Sequence, residues 1–122
     1  MTTAQFHAAA GNPVWQYEFS HAFPESKRGA PHSGELRYVF DSFPAGAVPD
    51  TEKRISNEME TYWANFAKTG DPNGNGLPTW PKYDVRARGY LEFTDSGPVQ
   101  HENLRGDFCA LWTEFLKRKM DN

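Results

Sequence analysis

The chain has a single cysteine, Cys109, among 122 residues. No intrachain disulfide can form, and a cysteine zinc site is excluded because such sites take several sulfur ligands at set spacing. Cys109 lies in the apolar helical run Asp107-Phe108-Cys109-Ala110-Leu111-Trp112. It is expected to be a small core residue rather than a nucleophile. Long hydrophobic runs are also missing. Nothing approaches the roughly 20 apolar residues that span a bilayer. Met1-Thr2-Thr3-Ala4-Gln5-Phe6-His7 has neither the basic start nor the apolar run of a secretion signal. The expectation is a soluble chain without a membrane partner, cytoplasmic by preference.

Positive charge is scarce as well. Lys and Arg number 13 against 16 Asp and Glu, a formal net charge of -3. A nucleic-acid binder needs a basic patch or stripe, and none is present. Lys27-Arg28 and Lys117-Arg118-Lys119 are short, and read as solvated surface. His7, His21, His32 and His101 show no metal-ligand spacing, so neither a metal nor another cofactor is expected.

Aromatic residues, by contrast, are plentiful. They make up 15% of the chain, with four tryptophans, and are interspersed with 10 glycines and nine prolines. That mixture suits an irregular core with long ordered loops. The length allows one domain or part of a larger one.

Ala4 to Ala10 is a short helical stretch, stopped by Gly11 and turned by Asn12-Pro13. With no start signal it reads as the last turns of a helix, so the chain is expected to begin inside a domain. Val14 to Phe19 alternates Trp15, Tyr17 and Phe19 against Gln16 and Glu18, which predicts a strand. Ser20 to Arg28 is a loop broken by Pro24; it carries His21 and Glu25, and His21 is expected to be solvated. Gly29-Ala30-Pro31-His32-Ser33-Gly34 is a tight turn leading into a short helix to about Phe40. Leu36, Val39 and Phe40 supply its apolar stripe, and Ser33 is the expected cap.

A second loop, Asp41 to Pro49, precedes the strongest periodicity in the chain. Ile55, Met59, Tyr62, Trp63 and Phe66 predict a helix of about 18 residues, started by Asp50 or Thr51 as N-cap and ended at Thr69-Gly70. Asp71-Pro72-Asn73-Gly74-Asn75-Gly76 copies the opening of a calcium loop. The twelfth position should be a glutamate, and here it is Lys82, so the segment reads as a glycine-rich turn. Gly89 to Thr94 is a second strand, Asp95-Ser96-Gly97-Pro98 a turn, and Val99 to Glu102 a short return strand. Phe108, Leu111, Trp112, Phe115 and Leu116 mark a C-terminal helix whose basic end suits the helix dipole. A strand, long helix, strand order predicts parallel neighbouring strands.

Several of these stretches together resemble the C-terminal part of the type-B carboxylesterases, the cholinesterase-like branch of the α/β-hydrolases. The resembling residues are Ala8 to Tyr17, Gly29 to Phe40 and, most specifically, Met59 to Tyr83, which holds Tyr-Trp-Ala-Asn-Phe-Ala-Lys-Thr-Gly-Asp-Pro-Asn-Gly and Leu-Pro-Thr-Trp-Pro-Lys-Tyr. The likeness runs from about Ala4 to Phe115. It implies an α/β class: a C-terminal fragment of an α/β-hydrolase fold, with two to three strands, a long crossover helix and a C-terminal helix. Residues 1–122 are then a single partial domain.

The resemblance also implies that His32 is the catalytic base of a Ser-His-acid triad. Imidazole titrates at about 6.5 and can both accept and return a proton at neutral pH. The family's serine sits on a Gly-x-Ser-x-Gly elbow, which this chain lacks. Its acid and its glycine-rich oxyanion loop are expected upstream of Met1. Glu35, one turn beyond His32, is a local candidate to orient the imidazole. The expected function is therefore a segment of a serine carboxylesterase that supplies the triad histidine and is inactive alone. Its expected partner is a complementing N-terminal esterase chain, with a small ester substrate. The alternative is a non-catalytic binding or self-associating module. In that alternative, two strands without sheet neighbours favour a homo-oligomer, most simply a twofold dimer.

Overall fold

A computed structural model describes residues 3–23, 26–74 and 76–120 of the chain. Pro24 and Glu25 of the first loop and Asn75 of the glycine-rich turn lie outside the described residues.

Helix α1 (Thr3–Ala9) ends at Gly11, whose φ of 81° is the left-handed geometry glycine adopts freely. Strand β1 (Tyr17–Phe19) is shorter than the alternation predicts. Val14 and Gln16 are extended but bond differently. The Val14 carbonyl accepts from Tyr83 N–H at 2.8 Å, and the Gln16 carbonyl accepts from both Leu91 N–H and the Trp80 indole N–H. The predicted facing still holds, because Trp15, Tyr17 and Phe19 all pack on the core.

Two helices follow, α2 (Leu36–Val39) and α3 (Asp50–Thr69). Pro49 is the N-cap of α3, so Asp50 is its first helical residue and not its cap. There the carboxylates of Asp50 and Glu52 face the positive end of the helix dipole. Gly70 closes α3 at φ 78°, its N–H bonding the Phe66 carbonyl. The predicted apolar face is the one buried: Ile55, Met59 and Tyr62 are each almost wholly shielded, and Phe66 lies at its edge against Trp15.

Strands β2 (Gly89–Thr94) and β3 (Gly97–Glu102) form a hairpin turned by Asp95-Ser96. The return strand thus begins two residues earlier than the alternation suggests. The three strands make a mixed sheet in the order β1-β2-β3. β1 runs parallel to β2, with Tyr17 opposite Leu91, and β3 runs antiparallel to it. The long helix between β1 and β2 is the crossover that a parallel pair requires.

The core gathers Tyr38 and Val39 from α2, Ile55, Met59 and Tyr62 from α3, Leu91 and Phe93 from β2, and Trp80. Its aromatic rings meet mostly edge to face, Tyr62 against Trp80 at 5.4 Å and Tyr17 against Trp63 at 5.2 Å. Such contacts add roughly 0.5–1.5 kcal/mol per pair beyond burial. The calcium-like run serves this core. Asp71 accepts from the main-chain and side-chain N–H groups of Asn73, which hold its carboxyl below the usual range. Asn73 in turn clasps the backbone of Trp80 from both sides, at 2.7 and 3.1 Å.

Helix α4 (Gly106–Met120) departs from expectation. None of its residues is buried, and Cys109 is exposed rather than a core residue. No helix among the described residues is long and apolar enough to cross a membrane.

Candidate functional site

The His32 turn lies on the segment leaving the carboxyl end of β1, the end at which open α/β sheets hold their sites. Its geometry is set locally. Ser33 stands at φ 61°, the Gly34 N–H bonds the Pro31 carbonyl at 3.1 Å, and the Leu36 N–H bonds the Ser33 carbonyl at 3.3 Å. Gly34 is buried against Pro31, where an added Cβ would lie 3.0 Å from the Pro31 carbonyl oxygen. A side chain at that position would have to push Pro31 aside by a few tenths of an ångström, so the turn favours glycine there.

Ser33 is not a side-chain cap. Glu35 precedes the first turn of α2, and no side-chain bond closes that end. Nor does Glu35 orient His32. Its carboxylate accepts from the Tyr17 hydroxyl at 3.4 Å, tying the turn to β1. Burial first, and then the charge of Glu35, raise the Tyr17 hydroxyl above its ordinary range and keep it a donor. His32 itself is exposed, and among the described residues no side chain bonds its ring. A free imidazole on a rigid turn can accept a proton from a group brought to it, but lacks a carboxylate to fix its tautomer.

A polar cluster centred on a buried histidine lies against Tyr38 of α2. His21, read as solvated from its loop position, is 4% exposed. Its Nε2 is 3.0 Å from Glu52 Oε1 and its Nδ1 is 2.5 Å from Asp95 Oδ1. Glu52 also accepts from the Tyr38 hydroxyl through its other oxygen. Sequence signals for this cluster existed in part: Glu52 falls one turn before Ile55 and Ser56 on the buried side of α3. Nothing local pairs His21 with Asp95, 74 residues away. Among the described residues no group of His, Cys, Asp and Glu is arranged to hold a metal.

An apolar groove of about 320 Å³ is lined by Val14, Trp15, Tyr62, Trp63, Phe66 and Pro72. None of the residues from Gly29 to Gly34 lines it.

Comparison with known proteins gives a consistent answer. A family model described as the carboxylesterase family matches residues 1–112. Carboxylesterase 5A of Canis lupus familiaris is 45% identical over 95% of this chain. The medium-chain fatty acyl-CoA hydrolase precursor of Anas platyrhynchos is 44% identical over 98% of it. Liver carboxylesterase of Sus scrofa is 35% identical over the same share. The chain spans 22% of the length of each of these relatives.

Proposed function

This chain belongs to the carboxylesterase family, and from that premise we propose that it contributes the proton-transferring histidine, His32, to carboxylic ester hydrolysis. The observation that supports the reading is the turn itself: an exposed imidazole in the segment that follows β1, on a turn tied back to that strand by the Tyr17–Glu35 bond. In this reading His32 takes the proton from a serine hydroxyl as it attacks the ester carbonyl. It then returns the proton to the leaving alcohol.

The serine and the orienting acid come from the remainder of the esterase, since this chain has no Gly-x-Ser-x-Gly and Glu35 is committed to Tyr17. Alone the chain is inactive. A free imidazole lacks the positioning and oxyanion donors that supply most of the rate. The substrate class is a small carboxylic ester.

The test is complementation. This chain is mixed with the N-terminal part of a family carboxylesterase, and hydrolysis of a para-nitrophenyl ester is followed. The expected result is activity in the mixture alone, abolished by His32→Ala. No complex, and no gain over either part, overturns the proposal.

A second reading, a self-associating module without catalysis, is supported by α4. Phe108, Leu111, Trp112 and Phe115 stand exposed along one helix, an apolar stripe of the kind that marks interaction surfaces. Light scattering at low micromolar concentration decides it: a twofold dimer supports the reading, a monomer removes it.

A further inference from the structure

His21 is the only one of the four histidines that the fold buries, and both its ring nitrogens are engaged. Each ring nitrogen thus faces a carboxylate oxygen. The two carboxylates come from different places, Glu52 from the first turn of α3 and Asp95 from the β2–β3 turn. The backbone at His21 is fixed as well, its N–H bonding the Phe93 carbonyl at the end of β2. Arg54 of α3 adds a bond to the Asp95 carbonyl at 2.5 Å.

From this anchored ring the connections lead to α2. Glu52 accepts from the Tyr38 hydroxyl, and Ser56, one turn further along α3, donates to the Tyr38 carbonyl at 2.7 Å. Tyr38 is wholly buried and meets the His21 ring edge-on at 5.4 Å. The short helix that follows the His32 turn is thus held by one residue at both its main chain and its side chain. The side-chain half of that grip depends on where Glu52 points.

We propose that His21 is a positioning residue. It orients the buried Glu52 carboxylate, which holds Tyr38, and through α2 it fixes the His32 turn. The proposal rests on the reading of His32 as the proton-transferring base. Removing His21 leaves Glu52, with a side chain only 7% exposed, the Tyr38 hydroxyl as its one side-chain donor among the described residues. A buried carboxylate short of donors turns toward another partner, which loosens its bond to the Tyr38 hydroxyl. A displacement of about 1 Å at a catalytic group is worth roughly a hundredfold in rate.

The experiment is amide hydrogen exchange on the 122-residue chain, comparing the natural sequence with His21→Gln and Asp95→Asn. Asp95 is largely exposed, so its variant spares the core and the Glu52 contact. The expected result is at least tenfold faster exchange at Gly34, Tyr38 and Val39 in His21→Gln. A smaller increase at the same amides is expected in Asp95→Asn. Leu91 and Phe93 should stay within about twofold in both. Equal acceleration of α2 and β2, or no change in α2 in either variant, overturns the proposal.

The same variants in the complementation assay separate the two readings. A kcat at least tenfold lower with KM within twofold in His21→Gln supports the positioning role. Hydrolysis by the natural mixture that His21→Gln leaves unchanged removes that role and keeps the esterase reading. No hydrolysis by the natural mixture, with α2 still loosened, removes the esterase reading instead.

Discussion

The Tyr62 hydroxyl donates to the Pro78 carbonyl at 2.5 Å, joining the middle of α3 to the extended segment that carries Trp80. Burial, and then the nearby Glu58 charge, push this phenol up to about 12. Its folded value lies above its unfolded value, so the folded state holds the proton more tightly. The resulting stability is fully present below about pH 10 and is lost as the pH rises to about 12. Urea unfolding from pH 9 to 12 should show this decline. Tyr62→Phe should start lower, by about 1 kcal/mol, and decline less steeply.

His32 is exposed and bonds no side chain among the described residues. His32→Ala should therefore change stability by no more than about 0.5 kcal/mol. Thermal unfolding checks this, and a larger loss would mean the imidazole supports its own turn.

Ser33 holds φ 61° without a side-chain cap bond at the start of α2. An L-residue there carries a steric cost that glycine avoids, offset in part by glycine's greater loss of freedom on folding. Ser33→Gly should stabilise the chain by roughly 0.5 kcal/mol, read as a higher urea midpoint with an unchanged slope.

Gly70 is the reciprocal case. At φ 78° it has open space where a Cβ would project, so Gly70→Ala incurs strain without a clash. A loss of about 1 kcal/mol is expected by denaturant titration. Leu91 is wholly buried at the centre of the sheet, and Leu91→Ala should cost about 2–5 kcal/mol.

Elements governed by local periodicity were legible in the sequence. The apolar repeat from Ile55 to Phe66 locates α3, and Tyr90 to Thr94 locates β2. The resemblance from Met59 to Tyr83 points to the family that the comparisons show. What escaped was set by distant partners. β1 is held to three residues, and upstream of it the Val14 carbonyl bonds Tyr83 rather than β2. His21 looked solvated because its two carboxylates lie far along the chain. The apolar pattern of α4 reads as a core face, yet nothing among the described residues buries it. Periodicity names the face of a helix without naming what covers it.

The sheet register carries a consequence for how the chain folds. β2 and β3 are neighbours joined by a two-residue turn, so their pairing closes a short loop. β1 instead meets β2 across most of the chain, with α2 and α3 in between. Closing so wide a loop demands chain entropy before any contact repays it, and pairings of that kind form slowly. Loop closure thus favours early formation of the hairpin and α3 and late docking of β1. During synthesis from the N-terminus, Trp15, Tyr17 and Phe19 emerge long before Leu91 and Phe93 exist. This aromatic strand therefore waits for its match until most of the chain has been made.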